Sequence, residues 1–417
     1  MIKLESREKS SRYIYLALAL VYLFTMFIKT NYTASVAYIV SRGIFSKANA
    51  GTIASMFYLL YGIGQLFGGY LVDKFSPYKM ITIGLICALL GNIVLAFTTD
   101  YLIVLITWSI CGIGQFGIWP GICKIIATDV LPKDRNNATI VVNYADQFAG
   151  ILSYLFAATV LEYFGWSAMF MSSTLSIVLT LGVWLYVLAV ANLPKEEVEV
   201  KVESVKKEKS HNYSFLYILF AFGMISIIIL ALTDAMLLNG AQVWIPTMVM
   251  ESYEGISSGF SNFLSILIFV VRLVALLLLK PLIFKIKHPI YGIIVIYAIS
   301  LIPLIFLQFV GKISVVLIVI MLCLHSTILK LKNVLAMKIS YTFAKFGYSG
   351  TYTGIHNALA AFGIVVASYS YGVMSETLGW VAITLTWLIV TCIAIIISIY
   401  PAIKWKKYQA LTESINK

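Results

Sequence analysis

The pentapeptide "EYFGW", residues 162–166, recurs as "ETLGW" at 376–380. The offset is 376 − 162 = 214 residues, and Glu162/Glu376, Gly165/Gly379 and Trp166/Trp380 are identical across it. Upstream at the same offset, Asn143 matches Asn357 and Phe148 matches Phe362. Five identities in sequence order exceed the roughly one or two that chance would place over such a span, so the chain reads as an internal repeat.

The composition around the repeat sets the medium. Of 417 residues, 61% are hydrophobic and 12% charged, where soluble domains lie near one half and one quarter. Mean hydropathy is +0.94. Runs long enough to span a bilayer, about 20 apolar residues each, recur twelve times: about 13–40, 51–72, 79–98, 101–129, 138–161, 166–192, 214–249, 257–284, 289–310, 313–344, 348–374 and 379–402. The matched pentapeptides close the fifth run of each set of six. An even number of runs separates them, so the two sets share one orientation. The expected fold is an all-α membrane protein of twelve transmembrane helices in two parallel-repeat six-helix halves. The halves are 1–192 and 214–417, joined by a charged linker at 193–213 rich in Lys and Glu. Parallel repeats of this kind place a substrate site at the interface between two rocking halves.

Orientation follows from the basic residues, which collect on cytoplasmic loops. With the N-terminus inside, Lys3, Arg7, Lys9 and Arg12, the 193–213 lysines and the tail's Lys404, Lys406 and Lys407 are all internal. The outer loops keep Arg42, Lys47 and Lys312. Both termini are expected in the cytoplasm, with the protein in the plasma membrane. The net charge of +12 then reflects topology and anionic lipid heads, and no nucleic-acid partner is implied. The polar stretch "MIKLESREKSSR" has no apolar core before a cleavage site, so no removable signal peptide is expected. The five cysteines lie inside apolar runs without metal-ligand spacing. They are expected as packed thiols, with no metal and no cofactor. A nucleotide-driven pump or other enzyme is not expected, because the chain has no phosphate-binding Gly-x-x-x-x-Gly-Lys-Ser/Thr loop.

The loop after the second run reads "GGYLVDKFSPYKM", residues 68–80. Gly68 and Gly69 permit close helix packing, Asp73 can meet a helix N-terminus or a cation, and Lys74 and Lys79 hold the loop inside. Gly69, Asp73, Lys74 and Lys79 are therefore the gating or structural candidates. This pattern resembles the signature of the major facilitator superfamily at the same position. The second-half counterpart, "LLKPLIFKIKHP", has no acidic residue.

Within that superfamily the chain is most similar to the organophosphate:phosphate antiporter group, carriers of glycerol-3-phosphate and hexose phosphates. The likeness rests on "IKTNY" (28–32), "GQFGIWPGICK" (114–124), "VNYADQFAG" (142–150) and "GAQVWIPTM" (240–248). The resemblance implies a phosphate-binding basic residue in each half. The first maps to Lys29, but the second maps to Leu238, and the group's helix-five histidine maps to Asp146. Lysine is a point charge without the bidentate fork of arginine, so the family's substrate does not transfer directly.

Charges inside membrane spans are functional candidates. Here they are Lys29, Lys124, Asp146, Asp234, Arg272, Lys330 and Lys332, with His325 and His356 as titratable neighbours. Lys29 and Arg272 each lie more than a dozen residues from the start of their runs and about as far from the end. Lys124, Lys330 and Lys332 can snorkel to the inner interface, Lys124 can pair with Asp146, and Asp234 falls near the outer end of the seventh run, where water reaches. The expected substrate-binding set is Lys29, Tyr32, Trp119, Lys124, Asn143, Arg272, His356 and Asn357. Asp146 and Asp234 are the coupling candidates. Aromatics such as Tyr58, Tyr61, Tyr144 and Trp244 either stack on substrate or simply pack helices. Pro120, Pro246 and the glycines Gly112, Gly114, Gly117 and Gly121 should loosen the fourth and seventh helices.

The cations outnumber the acids, and a positive cavity focuses anions. The expected function is secondary active transport of a small organic anion, a carboxylate or phosphorylated metabolite, by a monomer in the bilayer. Exchange for a counter-anion and symport with protons both remain open. Two alternatives stand beside it: a substrate-sensing receptor on a transporter fold, and a multidrug–proton exporter. The latter usually carries a Gly/Pro-rich fifth helix, whereas "AGILSYLFAATVL" has one glycine and no proline.

Overall fold

In hydrocarbon the backbone has no hydrogen-bond partner but itself, so each apolar run closes into a helix. The computed structural model describes residues 7–190, 214–344, 346 and 349–414. The expected linker at 193–213 lies outside these residues. The first half comprises α1 (Arg7–Ser41), α2 (Lys47–Lys74), α3 (Pro77–Ala96), α4 (Tyr101–Gln115), α5 (Ile118–Thr128), α6 (Arg135–Phe156) and α7 (Glu162–Val190). The second comprises α8 (Phe215–Ala221), α9 (Met224–Ala235), α10 (Ala241–Ser252), α11 (Ser258–Phe284), α12 (Pro289–Leu307), α13 (Val315–Ala344), α14 (Ser349–Thr377) and α15 (Trp380–Ser414). Single π-helical turns, Ala157–Leu161 and Met236–Gly240, join α6 to α7 and α9 to α10.

Eleven of the described helical runs are long and apolar enough to cross a membrane, and one of them, Asn137–Val190, has 54 residues. At about 1.5 Å per residue that run would be far longer than a bilayer core of about 30 Å. It divides at Gly165, whose φ of 81° and ψ of −175° turn the chain back. Eleven runs with one divided make twelve crossings. Gly379, the repeat partner of Gly165, has φ +79° at the corresponding turn between α14 and α15. Only glycine adopts this backbone region without strain, which explains why both pentapeptides keep it.

The seventh expected run, 214–249, is interrupted. Gly223 has φ +70° and separates α8 from α9. Membrane depth along that crossing therefore counts from Met224, and Asp234 moves from the outer end to the middle.

The halves meet along α2–α14, α6–α11 and α1–α10. We call the side where α1 begins the N-terminal face and the opposite side the far face. At the far face the contacts between halves are polar and reciprocal. Glu162 accepts a hydrogen bond from Ser258 Oγ at the start of α11. Glu376, its repeat partner, accepts one from the backbone N–H of Ala48 at the start of α2, at 3.1 Å. Lys47 pairs with Glu251 at 2.8 Å, and Glu251 also accepts from the Trp380 indole at 3.0 Å. Deeper in, small residues bring the backbones together: a Cβ on Gly51 would lie 2.4 Å from the Ser368 carbonyl, and one on Gly62 2.6 Å from Ala361 Cβ.

Candidate functional site

Two prolines set the local geometry of the site. Proline has no N–H, so the carbonyl four residues earlier loses its helical donor. Pro120 frees the carbonyl of Phe116, where α4 gives way to α5, and Gln65 Nε2 of α2 donates to it at 2.7 Å. Pro246 frees the carbonyl of Gln242, and the Tyr154 hydroxyl donates to it at 3.0 Å. That second bond joins α6 of the first half to α10 of the second.

Between the halves lies a cavity of about 320 Å³. From the first half it is lined by Tyr22, Met26, Lys29, Thr30 and Thr33 of α1, Tyr58, Tyr61 and Gln65 of α2, Trp119 of α5 and Asp146 of α6. The second half adds Leu238 and Asn239 from the π turn, Gln242, Phe269 and Arg272, Lys330 of α13, and Asn357, Ala360, Ala361 and Ile364 of α14. Among the described residues its walls carry three cations and one carboxylate.

Each cation is held differently. Lys29 Nζ sits 4.0 Å from the Tyr61 ring centroid and 4.9 Å from that of Tyr58. The rings offset part of its desolvation through their negative faces, and they leave its N–H groups for the cavity. Arg272 is 3% exposed. Its Nε and Nη2 donate to Ser326 Oγ, its Nη1 donates to Gln242 Oε1 at 3.2 Å, and it lies over the Phe269 ring. Lys330 makes an ion pair with Asp146 at 3.3 Å, which crosses from one half to the other. Gln147 Nε2 also donates to Asp146, at 2.8 Å.

The expected substrate set separates on this geometry. Lys29, Trp119, Arg272 and Asn357 line the cavity together, and so does the coupling candidate Asp146. Four others do not. Tyr32 is 1% exposed and packed within the first half, its hydroxyl donating to the Ala50 carbonyl at 3.1 Å and its ring beside Trp108. Asn143, one helical turn from Asp146, is exposed and donates to the Thr139 carbonyl. His356 stands outside the wall beside the Tyr352 ring. Lys124 donates to the Val72 carbonyl at 2.8 Å. The pairing expected between Lys124 and Asp146 is replaced by the Lys330 pair, because α13 approaches α6 across the interface.

Asp234 and Lys332 need a second correction. Neither snorkels nor meets water: they are 6% and 2% exposed, ion-paired to each other, with the Tyr297 hydroxyl also donating to Asp234. This neutral cluster joins α9, α12 and α13 away from the cavity. Of the gating candidates, Lys74 and Lys79 are exposed at the N-terminal face, while Gly69 and Asp73 are described only as helical backbone of α2.

Sequence reading missed Lys330 as a cavity residue, and Gln65 and Gln242 as ligands of its frame. For Gln242 a signal was available, since it stands four residues before Pro246; Gln65 meets the carbonyl freed by Pro120 from 51 residues away, which sequence spacing does not mark. Lys330 was marked as a charge inside a span, but its partner, 184 residues away, left no local signal of the pairing.

The Major Facilitator Superfamily profile matches residues 18–368. The chain belongs to that superfamily. Among superfamily members of known structure, it superposes on a D-xylose-proton symporter with a TM-score of 0.74 at 16% identity, covering 93% of this chain and 96% of that one. A bacterial homologue to the human lysosomal transporter Spinster, inward-facing and unoccupied, gives 0.71 at 14% identity over 96% and 98%. In sequence, the chain is 25% identical to a probable hexose phosphate transport protein of Chlamydia trachomatis over 167 residues, 40% of this chain and 37% of that protein. It is 25% identical to the membrane sensor protein UhpC of Escherichia coli over 157 residues, 38% and 36%. The match thus spans little more than a third of the length of these curated relatives. They agree with the resemblance to the organophosphate group.

Proposed function

We propose that this superfamily member is a secondary transporter of small organic anions, with the cavity between its halves as the substrate site. One observation carries the reading: Lys29 of the first half and Arg272 and Lys330 of the second line one cavity, with Asp146 the one carboxylate among the described lining residues. With Lys330 neutralised by Asp146, two cations remain without an opposing charge. A unit charge pair about 4 Å apart gains on the order of 4 kcal/mol at an effective dielectric near 20. Keeping a cation at mid-membrane costs roughly 3 kcal/mol or more. An anion bridging Lys29 and Arg272 offsets both costs at once, whereas a neutral substrate offsets neither. Similarity to a probable hexose phosphate transport protein supports a phosphorylated metabolite within this class.

The transport cycle follows from the interface. The far face is shut by the contacts of Glu162, Glu376, Lys47 and Glu251, so the substrate enters from the N-terminal face, which the lysine distribution puts in the cytoplasm of a plasma-membrane protein. An anion that ties Lys29 to Arg272 draws the halves together on that side. Rocking then opens the far face. An empty cavity returning with its cations unpaired is the costly step, which favours exchange of one anion for another.

Proteoliposomes preloaded with phosphate, carboxylates or phosphorylated sugars test this. Uptake of a labelled anion that depends on an internal anion is the expected result. Equal uptake of the neutral sugar and its phosphate would remove the anion assignment. A second reading, a substrate sensor, is favoured by equal identity to the membrane sensor protein UhpC. It predicts saturable anion binding with no flux in the same vesicles.

A further inference from the structure

The α2–α14 seam joins the two halves. There Ser55 Oγ donates to the Val365 carbonyl at 2.9 Å, and Gly62 crosses Ala361 closely. Alongside this crossing, reaching from Leu59 and Phe362 toward Leu66 and Ile355 on the N-terminal-face side, lies a second cavity of about 330 Å³. Its walls are Leu59, Ile63 and Leu66 of α2 and Ile355, Leu359 and Phe362 of α14. Ile63, Leu66 and Phe362 are 44%, 54% and 48% exposed, so the groove opens on the outside of the bundle. Both helices at this depth belong to membrane-crossing runs, Lys47–Gly68 and Gly354–Thr377. The medium at the mouth is therefore hydrocarbon and not water. An unfilled apolar groove forfeits the dispersion contacts of its lining, and water finds no polar partners there.

We propose that this groove is a binding site for an acyl chain of a membrane lipid, wedged between α2 and α14. Its inner end is Tyr58, which lines both this groove and the central cavity. The Tyr58 ring also flanks Lys29. A single side chain thus separates the lipid chain from the central cation. Closing the N-terminal face draws Leu66 and Ile355, at the N-terminal-face end of the groove, toward each other, which narrows the groove and expels the chain. A ligand that binds one arrangement and not the other shifts the balance toward the first. The lipid therefore holds the far-face-closed arrangement. The inference goes beyond the proposed function and stands whatever the central cavity carries.

The test is photolabelling of the full chain in phosphatidylcholine nanodiscs containing a small fraction of phosphatidylcholine with a mid-chain diazirine. Peptide mass spectrometry locates the adducts. Adducts should concentrate several-fold on 59–66 and 355–362 relative to the exposed apolar face of α7 at Leu175 and Leu179. Ala358→Trp, which fills the groove, should lower labelling there and leave α7 labelling unchanged. Leu66→Ala, which enlarges it, should keep the enrichment. Labelling of the native chain that is even across α2, α14 and α7 overturns the proposal without reference to any variant. So does undiminished groove labelling in a folded Ala358→Trp protein.

Discussion

Asp146 of α6 and Lys330 of α13 face each other at 3.3 Å across the boundary between the two halves. Both line the central cavity, so the carboxylate occupies a cation that an incoming anion could otherwise use. The pair is partly solvated, with side chains 37% and 28% exposed, and screening keeps its own strength modest.

Asp146→Asn should release Lys330 and tighten anion binding. A half-exposed pair is worth about 1 kcal/mol, which corresponds to roughly a fivefold lower Kd. Calorimetric titration with the transported anion measures it. Unchanged or weaker binding would show that Asp146 contacts the substrate favourably.

Lys29→Gln should abolish transport while the protein still reaches the membrane folded, because no ion pair in the fold depends on it among the described residues. The Tyr61 ring offers a finer probe. Tyr61→Phe keeps the ring face beneath Lys29 and should keep affinity, whereas Tyr61→Leu should cost about 1 kcal/mol. Equal loss in both would assign the effect to the hydroxyl.

The Asp234–Lys332–Tyr297 cluster should behave as a structural element. Removing one partner leaves the other charge buried, so Lys332→Met alone should destabilise by about 3–5 kcal/mol. Replacing all three with apolar residues (Asp234→Leu, Lys332→Met and Tyr297→Phe) should recover most of that loss, as read from thermal unfolding in detergent. Recovery of stability without recovery of transport would return Asp234 to the coupling pathway.

Gly379→Ala isolates backbone strain. No heavy atom lies within 4 Å of the added Cβ, so the cost comes from the positive φ of +79° alone and should be about 1–3 kcal/mol. The measurement is again the unfolding midpoint.

Much of the fold was legible because hydropathy and a 214-residue repeat are properties of contiguous sequence. Even the turn glycines Gly165 and Gly379 stood out within their pentapeptides before their φ values were known. The site was legible only where depth alone decides the role, as for Lys29 and Arg272. Depth failed for Asp234, because Gly223 breaks the helix and shifts the starting point of the count. Spacing failed for Tyr32. It lies three residues from Lys29, yet its ring turns into the first half toward Trp108. Partner choice failed for Asp146, since neighbouring helices suggested Lys124 while the contact came from the other half of the chain. Pairings between segments far apart in the chain leave no periodic trace.

The far-face bonds of Glu162 and Glu376 run in opposite directions: each half supplies the acceptor for one and the donor for the other. Neither half can satisfy its own glutamate. Two fragments produced separately, divided between 193 and 213, would each present to its mate a carboxylate without its donor, while Ser46 and Ser257 still cap the starts of α2 and α11. Recognition between such fragments is then written twice into one surface, and co-expression should rebuild the closed far face from separate polypeptides.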